Sequence, residues 1–213
     1  ESEAYELSGD AAATNAGDYV VTATLKPGYV WADGEASASR DIAWSIAKKK
    51  VARPQAASGL SYTGTEQQGV ASSDDYELSG DWKATHAGAY TATATIADAG
   101  NLEWAPARAG IVARAASALR GPAPGAGSVT IPWSIGKATL AASYAGETIE
   151  PGGNPTYAVT VTGFVGGEDA ATASGYTAPS VTPVPAASLA SEGSFELSPA
   201  GGAADDYDFS YAS

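Results

Sequence analysis

Apolar residues along this chain alternate singly with polar ones in short runs. Tyr19, Val21, Ala23 and Leu25 form one run, and Tyr90, Ala92, Ala94 and Ile96 form another. A period of two puts the four on one face of a strand and the intervening threonines on the other. Ile42, Trp44 and Ile46 make a similar face, as do Ile131, Trp133 and Ile135. Gly, Pro, Ser and Thr interrupt nearly every stretch, and the pattern predicts short strands almost throughout. Only Ile111 to Leu119 could form a helical turn or two. Pro132 has no N–H to give to a ladder, which predicts an edge strand or a bulge at that point. Trp44 and Trp133 read as core anchors; a sugar-stacking role would need an exposed ring.

The chain repeats itself. Tyr5-Glu6-Leu7-Ser8-Gly9-Asp10 returns as Tyr76-Glu77-Leu78-Ser79-Gly80-Asp81, an offset of 71 (5 to 76). At the same offset Ala13-Thr14-Asn15-Ala16-Gly17 matches Ala84-Thr85-His86-Ala87-Gly88, and Tyr19 matches Tyr90. Further on, Ile42-Ala43-Trp44-Ser45-Ile46-Ala47-Lys48 returns as Ile131-Pro132-Trp133-Ser134-Ile135-Gly136-Lys137, now at an offset of 89 (44 to 133). The difference, about 18 residues, is an insertion between Leu102 and Ser128, expected in a surface loop. The repeat divides the chain into three modules: an incomplete copy over 1–49, a full copy with its insertion over 50–136, and an unrelated module over 137–213. Short linkers are expected at Lys48–Arg53 and Gly136–Ala138. The first copy lacks a counterpart of the residues before Tyr76. Either those strands are left out of this sequence or another chain supplies them.

Composition narrows the class. Of 213 residues, 44% are hydrophobic, mostly Ala, Val and Tyr with three Phe, which suits several small cores better than one large core. A net charge of −13 argues against nucleic acid, whose phosphates need a basic face, and against attraction to anionic lipid. The chain has no Cys, leaving packing and strand pairing to hold the modules together. No apolar run approaches membrane-spanning length. The opening Glu-Ser-Glu-Ala and the lack of Met suggest an internal piece of a longer protein, with any signal peptide or wall anchor outside it.

Asn15-Ala16-Gly17-Asp18-Tyr19 and His86-Ala87-Gly88-Ala89-Tyr90 resemble the corner entering strand F of immunoglobulin-like domains, where a Tyr hydroxyl bonds back to the preceding backbone. Val21 and Ala92 stand where a disulfide-bonded domain would have Cys. Together with Lys48-Lys49-Lys50 and Tyr62-Thr63-Gly64-Thr65-Glu66-Gln67-Gln68-Gly69-Val70, these segments resemble bacterial Ig-like repeats of large surface proteins, over about 1–137. The remainder resembles MBG-type adhesion modules through Val161-Thr162-Gly163-Phe164-Val165-Gly166-Gly167-Glu168-Asp169 and Asp206-Tyr207-Asp208-Phe209-Ser210-Tyr211, with Phe195 where a Tyr is usual. The resemblance implies an all-β chain of tandem small Ig-like β-sandwich modules in an elongated array, the last Ig-like or β-grasp-like. It also implies an extracellular location at a bacterial cell surface or wall, adhesion-associated, with neighbouring modules of the parent protein as partners. It carries over no catalytic residue.

Candidate chemistry is sparse. His86 is the sole histidine and aligns with Asn15, which favours a corner-bonding role over catalysis; without Cys there is no usual zinc set and no Cys–His chemistry. Glu168-Asp169 and Asp205-Asp206 are adjacent pairs, not carboxylates facing across a glycosidase cleft. With Ser73-Asp74-Asp75 they are the places where calcium could collect oxygens from several loops, although no contiguous calcium loop is present. No other cofactor is expected. Two features could bind a host glycan or a matrix protein. One is the insertion 105–127, with Arg108, Arg114 and Arg120 and no acid; the alternative is a loop tethered to the protein's own acidic surface. The other is Trp82, which aligns with Ala11 and is peculiar to the second copy. Trp31 and Trp104 align with each other, which favours packing. The resulting expectation is a non-catalytic stalk or spacer, with adhesion through Trp82 or the insertion as the alternative.

Overall fold

The computed structural model describes residues 2–106 and 127–212. The chain is nearly all-β, as the alternation predicts. Its strands are β1 (Tyr5–Gly9), β2 (Gly17–Leu25), β3 (Ser39–Ile46), β4 (Lys49–Val51), β5 (Gln67–Gln68), β6 (Tyr76–Gly80), β7 (Lys83–Ala84), β8 (Gly88–Ile96), β9 (Leu102–Trp104), β10 (Ser128–Ile135), β11 (Ala138–Tyr144), β12 (Val159–Thr162), β13 (Ser180–Val181), β14 (Pro199–Ala200) and β15 (Tyr207–Ala212). The one helix described is a single turn, α1 (Ala186–Leu189), entered from Pro185. Ile111 to Leu119 lies outside the described residues.

The strands form two compact units. One comprises Glu1–Arg53, Ser72–Glu77 and Ala94–Val129; the other comprises Pro54–Ala71, Leu78–Thr93 and Thr130–Ser213. The sequence repeat over 50–136 contributes residues to both.

The repeat is visible strand by strand. β1, β2 and β3 form a sheet with β2 central, and β6, β8 and β10 form its counterpart with β8 central. Pro132 therefore lies on an edge strand, where its missing N–H breaks no central ladder. In β2 the buried positions are Val21 and Ala23, and in β8 they are Ala92, Ala94 and Ile96, all in the predicted phase. Small residues there let a large partner approach. Tyr19 pairs across the ladder with Trp44, and their rings stack with centroids 4.8 Å apart. Tyr90 and Trp133 repeat that contact at 4.8 Å. Such cross-strand aromatic pairs contribute about 0.5–1.5 kcal/mol beyond area burial. Trp31 meets Tyr5 at 6.3 Å and Trp104 meets Tyr76 at 5.7 Å, an equivalent pairing in the two copies.

Both corners close as their residues predict. The Tyr19 hydroxyl donates to the Asn15 carbonyl at 2.6 Å, and the Tyr90 hydroxyl donates to the His86 carbonyl at 2.7 Å. Each bond ties the start of a long strand to the turn that precedes it.

Over residues 137–213 β11 is central, antiparallel to β12 and parallel to β15. Leu140, Ala142 and Tyr207 are buried there. The first and last strands thus lie side by side in parallel. Such a pair cannot be joined by a tight hairpin, and α1 lies within the long connection between them.

Candidate functional site: a joint built twice

The Ile-x-Trp-Ser-Ile-x-Lys motif ends β3 and, again, β10. Beyond the motif the chain is built the same way both times. After β3 it enters β4, which pairs in parallel with β9, Lys49 opposite Leu102. After β10 it enters β11, which pairs in parallel with β15, Ala138 opposite Tyr207. Lys49 and Ala138 are 89 apart (49 to 138), the offset of the motif itself.

The residue just before the later strand does two jobs. The Asn101 carbonyl accepts from the Lys49 N–H at 2.9 Å, and the Asn101 side-chain oxygen accepts from the Ala16 N–H at 2.7 Å. The Asp206 carbonyl accepts from the Ala138 N–H at 3.0 Å, and Asp206 Oδ1 accepts from the Ala87 N–H at 2.6 Å. Ala16 and Ala87 are equivalent corner residues. A lysine completes each joint from the motif: Lys48 Nζ donates to the Ala99 carbonyl, and Lys137 Nζ donates to the Ala204 carbonyl at 3.0 Å. The lysine acceptors lie two residues before Asn101 and Asp206 respectively. One side chain thereby binds the corner of one repeat while its own backbone pairs with the strand that leaves that repeat.

The two joints differ in charge. Asn101 is oriented by the Asp98 carboxylate, which accepts from Asn101 Nδ2 at 2.7 Å and from the Gly100 N–H at 2.9 Å. Those bonds hold the Asp98 carboxyl below its ordinary range, the Asn101 side chain first among them. Asn101 Nδ2 also donates to Asn15 Oδ1 at 3.1 Å. In the second joint Asn15 is replaced by His86, whose Nδ1–H donates to Asp206 Oδ2 at 2.8 Å. Asp206 is buried at 3% exposure while the His86 ring stays largely in solvent. The hydrogen bond to Asp206, then its charge, raises the His86 pKa above its ordinary value.

Beside this pair the Glu168 carboxylate accepts two buried phenols. Tyr62 donates to Oε1 at 2.8 Å and Tyr207 donates to Oε2 at 2.5 Å. The two rings meet edge to face at 5.4 Å. Desolvation first, and the Glu168 bond second, push both hydroxyls well above the usual phenol range. The Gly64 and Gly166 backbones approach here so closely that a Cβ on Gly64 would lie 2.7 Å from the Gly166 Cα. The stretches 62–70 and 161–169 meet at this contact.

His86 and Asp206 form two members of an acid–base relay, yet among the described residues no hydroxyl bonds to His86 Nε2 to serve as a nucleophile. Of the carboxylates considered for calcium, several are already engaged. Asp75 pairs with Lys49 at 2.7 Å, Asp169 holds its own turn through Thr172 and Ala171, and Asp205 accepts from Ser174 Oγ at 2.7 Å. Among the described residues no three of His, Asp and Glu group as metal ligands. No described helix is long and apolar enough to cross a membrane.

Trp82 is half-buried, and Lys83 Nζ sits 4.5 Å from its ring centroid. Its carbonyl accepts from the Gly69 N–H at 3.0 Å, so its backbone is a strand-pairing point. Arg108, Arg114 and Arg120 lie outside the described residues. Sequence reasoning gave Asn101 no role and took Asp206 and Glu168 as parts of the MBG-like motifs, as turn charges or as calcium oxygens, not as bonding partners of the corner and of the buried phenols. Asn101 and Asp206 stand 105 apart, which matches neither repeat offset, so the repeat itself does not lead to them. No family model matches the chain, and neither a curated protein nor a solved structure matches it.

Proposed function

We propose that this chain is a non-catalytic segment of a bacterial cell-surface protein, acting as a stalk or spacer of tandem β modules. The observation that supports this reading is the twice-built joint. A spacer must limit bending where one module gives way to the next, and a flexible tether would have no use for such a device. Each joint commits a buried or half-buried polar side chain, three hydrogen bonds and a parallel strand pair to that point. At net contributions of about 0.5–1.5 kcal/mol each, the three bonds of a joint add a few kcal/mol, a sizeable fraction of a domain's net stability of about 5–15 kcal/mol. The acidic surface suits a protein that must not associate with its own copies. The extracellular location and the Ig-like and MBG-type assignments rest on the sequence motifs, from Tyr5-Glu6-Leu7-Ser8-Gly9 to the Asp206–Tyr211 ending.

Binding to an array of host glycans and matrix proteins, with and without calcium, tests the reading. A spacer gives no saturable signal from folded protein. A saturable signal lost in Trp82→Ala or on deleting 105–127 would make the chain an adhesive module instead.

A further inference from the structure

The longest stretch of the chain without a basic residue surrounds a cavity. Residues 138–213 include nine Asp and Glu and no Lys, Arg or His. Within that stretch the loop 144–157 and the segment 184–197 wall a cavity of about 350 Å³, a size that suits a small ligand or a single side chain. The walls are tied to each other. The Gly152 N–H donates to the Leu189 carbonyl at 2.7 Å, and the Val184 N–H donates to the Tyr157 hydroxyl at 2.9 Å. Tyr157 has a φ of 53°, the left-handed region, which no other non-glycine among the described residues adopts. Such a backbone persists only where its surroundings hold it, and it concentrates at ligand clamps.

Glu147 does the holding. Its carboxylate accepts from the Tyr157 N–H at 2.6 Å, the Thr156 N–H at 2.7 Å, Thr156 Oγ1 at 2.8 Å and the Tyr144 hydroxyl at 3.3 Å. These bonds, that of the Thr156 N–H foremost, keep its pKa below the ordinary carboxylate range. All four donors are neutral, so the negative charge stays uncancelled in the cavity wall. Glu150 and Glu192 add two further carboxylates to the lining, and among the described residues neither side chain has a hydrogen-bond or ion-pair partner. The rest of the lining is largely aromatic and apolar, with Tyr144, Tyr157 and Phe195 beside Ile149, Val184 and Leu189. Phe195 is 46% exposed, which leaves part of its ring open to a ligand.

An anion is repelled by this lining, and a neutral apolar ligand leaves its charges unanswered. A cation on an apolar stem answers both parts. Its charge meets the carboxylates and the aromatic faces, and its methylenes cover the apolar wall. We infer that this cavity binds an alkylammonium group, as carried by a lysine side chain of a partner polypeptide. The inference goes beyond the spacer reading, and the two fail separately: binding in this cavity survives Trp82→Ala and deletion of 105–127.

The probe is Nα-acetyl-lysine N-methylamide, titrated into the intact chain and followed by backbone amide shifts in NMR. The expected result is saturable shifts confined to 144–157 and 184–197, with a dissociation constant on the order of 1 mM, as suits one side chain at a partly open site. Acetylating the ε-amine keeps the stem and removes the charge, and it should weaken binding at least about tenfold. Glu150→Gln with Glu192→Gln alters two exposed side chains and leaves the Glu147 bonds in place. That variant should keep the parent spectrum and weaken the lysine probe about fivefold or more at low salt. Absence of shifts from folded protein, or shifts indifferent to ε-acetylation, would overturn the proposal. Shifts at the same residues from a neutral methyl glycoside, with none from the lysine probe, would assign the cavity to a glycan and would also overturn it.

Discussion

At the scale of residues, the two corners show how one geometry accepts different chemistry. Asn15 faces a neutral Asn101, and His86 faces the buried carboxylate of Asp206. Asp206→Ala leaves the Ala87 N–H without its acceptor and the His86 ring without its partner. We expect a loss of about 2–3 kcal/mol by denaturant unfolding, and about 1 kcal/mol for Asn101→Ala, whose bonds are neutral. The His86 pair also carries a pH dependence of known sign. Its folded pKa is raised, so its contribution is fully present below the unfolded value of about 6.5 and is lost as pH rises through the folded value. The largely exposed ring limits this to no more than about 1 kcal/mol. Thermal melts across pH 5–8 should therefore favour the acidic side in the parent protein, and His86→Asn, which installs the first copy's residue, should flatten the difference. A parent profile flat over that range would refute the assignment. On the acid side, Asp98, Asp169 and Glu147 have lowered pKa values, and their contributions are present above about pH 4 and are lost as pH falls through the folded values.

At the scale of elements, period-two alternation was enough to find the long strands and the buried faces of β2, β8 and β10, but the face it predicts on β3 is not buried: Ile42 is 46% exposed, and Trp44, expected as a core anchor, is half-buried with Ile46. Val21, Ala23, Ala92, Ala94, Ile131, Trp133 and Ile135 are all where the pattern puts them. The Tyr corners and the edge position of Pro132 were also legible, because each depends on a few neighbouring residues. The joint was not. Ala16 and Asn101 are 85 apart in the chain, as Ala87 and Asp206 are 119 apart, and nothing local distinguishes a clasping side chain from an ordinary turn former. The pairing of β11 with β15 likewise links strands at opposite ends of a module. The helix α1 is too short to show a 3.6-residue period. The difference in cover between the repeats yields a prediction at this scale. Trp133→Ala should cost about 3–5 kcal/mol, as for a buried tryptophan. Trp44→Ala, half in solvent, should cost clearly less in the same unfolding experiment. Equal costs would mean that the two faces are equally covered.

For the molecule as a whole, the proposal is mechanical: tandem modules, each held to the next by a joint, carry something else at a distance. The repeat and the net charge of −13 fit that role. Small-angle X-ray scattering of the intact chain tests it most directly. A compact globule of this length has a radius of gyration of about 17 Å. A spacer should exceed that clearly, with a pair-distance distribution tailing to long distances, and Asn101→Ala with Asp206→Ala should broaden the distribution without unfolding the modules. A radius close to the compact-globule value, unchanged by the paired substitutions, would rule out the spacer.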